Sequence, residues 1–392
     1  MQQLDDYYSI LGGNDTVLLR VDFNITRNNQ GDFVLNDRVY GMVPVIKRLL
    51  AVGCAVVLVS HLGRPTPGVW QAQHSFVRLV GLLEKCLRVP VEFLSKWPHQ
   101  KTYMASKTVA LAENTRFLEG ELENDSTLVK KMLRGIDLVV MEAFACSHRA
   151  HASTVGIVSQ AKRACLGIQH HKELMAITSF QQLKGSRLAL VGGKKLATKL
   201  PLIYQLLDQI DVLCLGGGLA NTLLHSIGYN LGTSWVEYDQ LAQIKALVEK
   251  ARTSNVRIIY PEDVIVSTDS ENFDTARAVA IDAIGPHEQI IDIGMQTRTR
   301  FIEVIKQADT VYWNGPLGRY EYANGMAGSA MVGQSIAKYP QYSLVGGGDT
   351  LSCLHRLGLE GFSHVSTGGG AFLYYFAHQS SPVLQAMESR SV

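Results

Sequence analysis

The segment Gly346-Gly347-Gly348-Asp349-Thr350 follows the apolar run Tyr342–Val345 and precedes a helix-like stretch from about Leu351. A strand, a glycine turn and a helix start aim unpaired backbone N–H groups and a positive dipole end at an anion. Glycine admits a phosphate close to the backbone because no Cβ intervenes. A carboxylate at such a turn repels phosphate directly, so Asp349 points to a bridging Mg2+. Lys195 and Lys199, one helical turn apart behind Gly192-Gly193, are spaced to face phosphates as well. The chemistry indicated is a nucleotide–metal site.

A second set of chemical groups lies in the first half of the chain. Apolar runs there end in Asp22-Phe23-Asn24, in Ser60-His61-Leu62-Gly63-Arg64-Pro65, in Glu113-Asn114-Thr115-Arg116 and in Cys146-Ser147-His148-Arg149-Ala150-His151. Arg38 opens a helical pattern after the first of them. Guanidinium forks match phosphate and carboxylate oxygens bidentately, so Arg38, Arg64, Arg116 and Arg149 together imply a small polyanion. His61, His148 and His151 share that rim, and no acidic or cysteine partner at ligand spacing makes the last two a metal pair.

The elements that must position these groups are short β-branched runs alternating with longer helical patterns, the signature of parallel sheets with crossover helices. Strands are expected at Val17–Val21, Ala55–Val59, Thr108–Leu111 and Asp137–Met141 in the first half. In the second half they are expected at Arg187–Val191, Asp211–Leu215, Val256–Ile259, Thr310–Trp313, Tyr342–Val345 and His364–Ser366. The stretch from Ser159 to Lys184 has few strand signals and reads as a helix joining two lobes. In open α/β sheets, ligands sit beyond the carboxyl ends of the strands. One lobe ends its strands in arginine and histidine, the other in glycine, which suggests an acidic metabolite on one and a nucleotide on the other.

Bulk properties agree and exclude other classes. A chain of 392 residues exceeds one ordinary core, so two domains are expected. Apolar content of 46% and charged content of 18% describe a globular protein. A net charge of +2 does not advertise nucleic acid, and no apolar run is long enough to span a bilayer. The six cysteines include no CxxC and fit reduced thiols, and Met1–Asp6 lacks the regions of a signal peptide; a cytoplasmic protein is expected. No G-x-G-x-x-G is present, Gly193-Lys194 lacks the Ser/Thr of a P-loop, and neither G-x-S-x-G nor H-E-x-x-H occurs. A dinucleotide dehydrogenase, a Walker-type NTPase and the common hydrolases are therefore disfavoured. Taken singly, each glycine pair is an ordinary βα turn and each arginine an ordinary surface group; the case rests on their recurrence at strand ends.

These strings, with Val191-Gly192-Gly193, Leu215–Gly218, Trp313-Asn314-Gly315-Pro316 and Ser366–Ala371, resemble the phosphoglycerate kinase family, in the family's order from about residue 16 to 376. The resemblance implies an α/β fold of two Rossmann-like lobes with parallel sheets, an open cleft and a hinge helix. It places a phosphoglycerate-binding domain at 1–165, a linker helix at 166–184 and a nucleotide-binding domain at 185–377, with the tail 378–392 packing back on the first. It implies transfer of a phosphoryl group between 1,3-bisphosphoglycerate and Mg-ADP, giving 3-phosphoglycerate and ATP, by a monomer. Asp22, Phe23, Asn24, Arg38, His61, Leu62, Gly63, Arg64, Arg116 and Arg149 would hold the phosphoglycerate. Gly192, Gly193, Lys195, Lys199, Gly217, Asn314, Glu321, Gly347, Gly348, Asp349 and Thr350 would hold the nucleotide, with Asp349 on Mg2+. Arg38, Lys195, Gly348 and Gly369 would surround the phosphoryl group in flight.

The chain departs from the family pattern at several positions. Met141–Cys146 stands for the usual Asn-Asp-Ala-Phe-Gly-Thr, Lys194 for a small residue, Arg319 for an apolar one and Gly325 for an aromatic. Two rival readings are a kinase acting on another small acid phosphate, and a binding or regulatory protein of the same fold that has lost catalysis. The second would predict substitution at Arg38, Lys195 or Asp349, and none is seen.

Overall fold

The computed structural model describes residues 3–25, 27–28, 32–99, 104–269 and 271–390. Two compact units are present, Met1–Met175 with His378–Val392, and Ala176–Ala377. In the first, β1 (Thr16–Arg20), β2 (Ala55–Val59), β3 (Val91–Leu94), β4 (Val109–Ala112), β5 (Leu138–Met141) and β6 (Ala164–Leu166) form one parallel sheet in the order β3-β4-β2-β1-β5-β6. The crossovers include α1 (Asp37–Ala51), α2 (Val80–Leu87), α3 (Ser126–Met132) and α4 (Ile157–Gln160). Every residue of β2, β4 and β5 is buried, as expected of a sheet covered on both faces. The core runs from Val17 and Leu19 through Val56 and Leu58 to Val39, Ile46 and Leu49 of α1.

α5 (Ile168–Gln182) carries the chain out of the first unit. The second unit holds β7 (Arg187–Val191), β8 (Val212–Leu215), β9 (Arg257–Ile259), β10 (Asp263–Ser267), β11 (Arg277–Ala280), β12 (Gln289–Ile293), β13 (Thr310–Asn314), β14 (Tyr342–Gly346) and β15 (His364–Ser366). Its helices are α6 (Leu196–Leu206), α7 (Gly217–Ser226), α8 (Leu241–Thr253), α9 (Met295–Gln307), α10 (Ala327–Lys338), α11 (Gly348–Leu357) and α12 (Gly370–His378). A parallel sheet of order β15-β14-β13-β7-β8-β9 packs Leu190, Val311, Trp313 and Val345 against Phe301, Ile305, Val332 and Ile336. Phe180, Tyr312, Phe372 and Phe376 form an aromatic cluster on the same unit, with Tyr312 and Phe372 stacked at 5.7 Å. α13 (Pro382–Glu388) belongs to the first unit, where Val383 N–H bonds the Ser147 carbonyl at 3.3 Å.

Four features differ from the sequence expectation, the first being the edge strand β3 (Val91–Leu94), which was not expected. A separate antiparallel sheet, β11-β10-β12, accompanies the parallel ones. Within the stretch expected as one joining helix, Ala164–Leu166 is a strand and the helix occupies Ile168–Gln182. α11 begins at Gly348 rather than near Leu351, because Gly347 takes a φ of 104° that lets the chain turn directly from β14 into the helix.

Candidate active site

The central strands of the first unit, β4-β2-β1-β5, run parallel, so the segments that follow them emerge at one edge. Arg20, the last residue of β1, is 1% exposed and holds that edge together. Its Nε donates to the Ser153 carbonyl at 3.2 Å, its Nη1 to the Val21 carbonyl, and its Nη2 lies 3.2 Å from His61 Nδ1. A guanidinium can only donate, so His61 Nδ1 accepts and a neutral His61 carries its proton on Nε2. Burial, then the charges of Arg20, Arg116 and Arg149, pushes the His61 pKa well below its ordinary value.

The same arrangement recurs twice on this edge. Arg116 Nη2 lies 3.2 Å from His151 Nδ1, and Arg149 Nε donates to His148 Nε2 at 3.2 Å. Burial first, and neighbouring arginines second, hold both histidines down to about 4. The imidazoles are therefore neutral at pH 7, and the positive charge of the rim sits on the arginines.

Asp22 draws Arg38 to the rim through an ion pair of 2.9 Å and also accepts the Asn24 N–H at 3.0 Å. Arg38 lies in the first turn of α1, where the Asn36 side chain caps its N–H at 3.2 Å. Asn24 Oδ1 accepts from Gly63 N–H at 3.3 Å, tying the loop after β1 to the loop after β2. Polar groups of Asp22, His61 and Cys146 lie within 4.8 Å of one another, so the ends of β1, β2 and β5 do converge. Arg64 is exposed on the loop after β2.

Phe23 and Leu62, both in the expected contact set, have buried side chains. Phe23 is fully buried edge-on to Phe76 at 5.9 Å, and only its backbone belongs to the rim, donating to Ser60 Oγ at 2.8 Å. Leu62 is buried, with both backbone polar groups taken by Asn114.

Residues the sequence reading left without a role support this edge. Glu121, 1% exposed, accepts from Ser153 N and Oγ at 3.0 and 2.6 Å, and so fixes the segment whose carbonyl holds Arg20. Glu113 accepts from Ser75, Phe76 and Trp70, anchoring the loop that carries His74 over Gly63. Arg20 had a legible signal, a lone cation at the end of Thr16-Val17-Leu18-Leu19. The two glutamates had none, since their partners are far away in sequence.

In the second unit β14-β13-β7-β8 are the central parallel strands, and their ends are the glycine turns. Gly193 (φ 87°) donates to the Pro316 carbonyl at 2.8 Å and accepts from Gly218 at 2.9 Å, so the turns after β7, β8 and β13 are laced backbone to backbone. A Cβ on Gly193 would come within 2.9 Å of the Lys199 ammonium. Lys199 reaches back from α6 to donate to the Gly192 carbonyl and, at 3.3 Å, the Asn314 carbonyl. Burial lowers its pKa to about 8, opposed by the charge of Asp349.

A cavity of about 640 Å³ opens on these turns, with Gly193, Lys195, Lys199, Gly217, Glu321 and Asp349 in its wall. Asp349 is exposed at the first turn of α11, and one such carboxylate suits Mg2+, which keeps several waters and takes phosphate oxygens as its other ligands.

Other expected nucleotide residues stand behind that wall. Asn314 is buried and donates to the Tyr312 hydroxyl at 2.9 Å. Thr350 Oγ1 is consumed inside the turn, accepting from Gly315 N–H at 2.7 Å and donating to the Gly346 carbonyl at 2.8 Å. Gly192 packs where any Cβ would collide with the Pro316 carbonyl. Gly347 and Gly348 make the turn into α11, and Gly369 (φ 52°) makes the turn into α12. Trp235, Ile290, Ile291, Leu317 and Tyr322 also line the cavity, and no sequence motif points to them, because apolar residues in loops and in β12 carry none.

Arginine forks beside neutral imidazoles, with the rim carboxylate Asp22 held in its ion pair with Arg38, suit the binding of a transferable anion more than the making of a nucleophile. With a glycine-walled, lysine-lined pocket on a second α/β unit, the molecule falls in the class of nucleotide-dependent phosphotransferases. The family described as phosphoglycerate kinase matches residues 9–379. The phosphoglycerate kinase of Coxiella burnetii is 36% identical over 380 residues, covering 96% of this chain and 97% of the relative. That of Francisella tularensis subsp. novicida is 35% identical over 378 residues, covering 96% of each. The solved structure of the Coxiella burnetii enzyme has a TM-score of 0.89 over 100% of this chain and 99% of its own, at 35% identity. The Pyrococcus horikoshii enzyme scores 0.82 over 99% and 98%, at 27% identity. The chain belongs to the phosphoglycerate kinase family and is a phosphotransferase.

Proposed function

We propose that the protein catalyses reversible phosphoryl transfer between 1,3-bisphosphoglycerate and ADP, giving 3-phosphoglycerate and ATP, as a cytoplasmic monomer in glycolysis and gluconeogenesis. The observation that carries this reading is the arginine set at the strand ends of the first unit, where neutral His61, His148 and His151 accept from Arg20, Arg149 and Arg116. Neutral His61 and His151, whose Nδ1 atoms face arginines, each keep an Nε2–H to offer substrate oxygens without adding charge, whereas His148 is spent within the protein on Arg149 and the Ala145 backbone. Arg38, steadied by Asp22, Arg64, Arg116 and Arg149 then hold the phosphate and carboxyl oxygens.

On the second unit Lys195, Lys199 and the N-terminal turn of α11 would take the nucleotide phosphates, and Asp349 would hold Mg2+, which neutralises charge on the phosphate oxygens when bound. Phosphoryl transfer demands in-line positioning and positive charge around the equatorial oxygens, with little covalent help from the protein. Arg38, Lys195 and the backbone N–H groups of Gly348 and Gly369 are the groups assigned to that charge. An acyl phosphate is already a good donor, so the lack of a catalytic base fits. The two ligand sets belong to different units, so the reading also requires the units to close around both ligands during turnover and exclude water.

Separate calorimetric titrations test the division of labour. Arg149→Ala should abolish 3-phosphoglycerate binding and leave Mg-ADP affinity unchanged, while Lys199→Ala should do the reverse. Loss of both affinities in either well-folded variant would contradict the assignment of one ligand to each unit. A catalytically impaired binding protein would bind both ligands without turning over.

A further inference from the structure

Glu142, directly after β5, is a carboxylate that the proposed reaction does not use, and it is only 5% exposed. It lies in Met141–Cys146, where the chain departs from the family pattern. Gly167 makes room for it, since any Cβ there would collide with Glu142 Oε2. Oε1 accepts the Gln169 N–H at 3.0 Å in the first turn of α5, whereas Oε2 has no hydrogen-bond partner among the described residues. A carboxylate in that place gains from the helix dipole and makes a charge-assisted bond.

The contact continues beyond α5. Gln169 Nε2 donates to the Gly41 carbonyl at 3.2 Å. A Cβ on Gly41 would stand 3.0 Å from that same nitrogen, so the Gln169 side chain packs directly on the backbone of α1. Gly41 follows Arg38 by three residues and shares its helix face. The Glu142 N–H donates in turn to the Arg20 carbonyl at 3.0 Å. One buried acidic residue thus joins the ends of β1 and β5, the start of α5 and the turn of α1 behind Arg38.

We propose, on the phosphoryl-transfer reading above, that Glu142 is a positioning residue for Arg38, acting through Gln169 and α1. Ionised Glu142 holds the first turn of α5 and keeps Gln169 against Gly41. Once protonated it offers the Gln169 N–H only a neutral, weaker bond, and the support behind Arg38 slackens. Burial raises the Glu142 pKa to about 7, so both forms are populated near neutrality. The titratable groups around it fix the sign. Lys172 on α5 favours the carboxylate, while burial keeps His170 on α5, Tyr8 in the N-terminal segment and Cys165 in β6 neutral. The carboxylate is therefore lost as pH falls through about 7, and kcat falls with it.

The test follows kcat for phosphorylation of 3-phosphoglycerate by Mg-ATP from pH 6 to 8.5 in wild type, Glu142→Gln, Arg38→Ala and the double variant. Over the same range the Arg38 Nε–H resonance, assigned by its loss in Arg38→Lys, is recorded in wild type and Glu142→Gln. Glu142→Gln stands in for the protonated form, so its kcat at pH 8.5 should be roughly tenfold below wild type, the scale of a small misplacement at the reacting centre. Its nucleotide KM should be unchanged, and both the wild-type step near pH 7 and the movement of the Arg38 resonance should be missing. Lys199 and Asp292 titrate in the same range but are common to all the proteins, so the difference between profiles isolates Glu142. In the Arg38→Ala background, Glu142→Gln should cost nothing further. An equal loss in both Arg38 backgrounds, or a step that persists in Glu142→Gln, would overturn the positioning role. So would an Arg38 resonance indifferent to Glu142, whatever the turnover. No turnover in wild type, with the resonance still moving, would remove the transfer reading and leave the coupling of Glu142 to Arg38 standing.

Discussion

Arg38 and Lys199 owe their chemistry to what surrounds them. Arg38 is drawn to the rim by Asp22 at 2.9 Å, and its side chain is only 26% exposed, so the fork is oriented before any ligand arrives. Arg38→Ala should therefore lower kcat by roughly 10²–10³-fold, the cost typical of losing one preorganised charge-stabilising donor, with little change in nucleotide KM. Steady-state kinetics with both substrates varied would check this; a raised nucleotide KM with kcat intact would remove Arg38 from the transition state.

Lys199 is held by burial at a pKa of about 8. In the empty pocket its ammonium loses a proton as pH rises through about 8, and ADP affinity should fall over the same range. Lys199→Arg, which stays charged, should flatten the profile between pH 7 and 9.5 in calorimetric titrations. A parallel decline in both proteins would assign the effect elsewhere. Linkage gives the opposite sign for stability. Between about 8 and the ordinary lysine range the unfolded chain binds the extra proton, so this residue's contribution to stability increases with pH.

Among the elements, β12, α9 and α10 meet at a buried pair that is structural. Asp292 and Arg298 lie 3.1 Å apart with side chains 0% and 8% exposed, and Asp292 also accepts from Gly328 N–H at 2.6 Å and Ile293 N–H at 2.9 Å. Burial pushes the Asp292 pKa up to about 7 against the pull of Gly328 and Arg298, so the pair is best tested at pH 8.5, where the carboxylate is ionised. Asp292→Ala should cost ~3–5 kcal/mol there, because it strands a buried guanidinium, and Asp292→Ala with Arg298→Met should recover part of the loss. Urea unfolding of the single and double variants measures both; an additive double variant would show that the two side chains are not coupled.

The strands that carry the proposed sites were legible because they are unbroken apolar runs stopped by glycine or polar clusters, as in Ala55–Val59 before Ser60 and Arg187–Val191 before Gly192. β3 and β6 were not. Val91–Leu94 carries a glutamate behind a proline, and Ala164–Leu166 is three residues long, so neither has a period to read. The antiparallel sheet escaped notice for another reason. Arg277–Ala280 has a single buried residue, and only pairing with Asp263–Ser267 makes it a strand.

Over the whole molecule, residue types at strand ends pointed to the chemistry, while the division of labour inside each site came from long-range contacts. No spacing foretells that Thr350, next to Asp349, spends its hydroxyl on Gly315 and Gly346, or that Arg20 from β1 reaches His61 after β2. Among the described residues no helix is long and apolar enough to cross a membrane, and all six cysteines are free.

The central claim is that these sites act together as one phosphoryl-transfer enzyme. Its most direct test is Mg2+- and ATP-dependent phosphorylation of 3-phosphoglycerate, coupled to NADH oxidation by glyceraldehyde-3-phosphate dehydrogenase. The account predicts robust turnover that disappears with EDTA, returns with added Mg2+, and is lost in Asp349→Ala while 3-phosphoglycerate still binds. A folded protein that binds both ligands and turns over neither would contradict it, and would leave a binding protein built on a kinase fold.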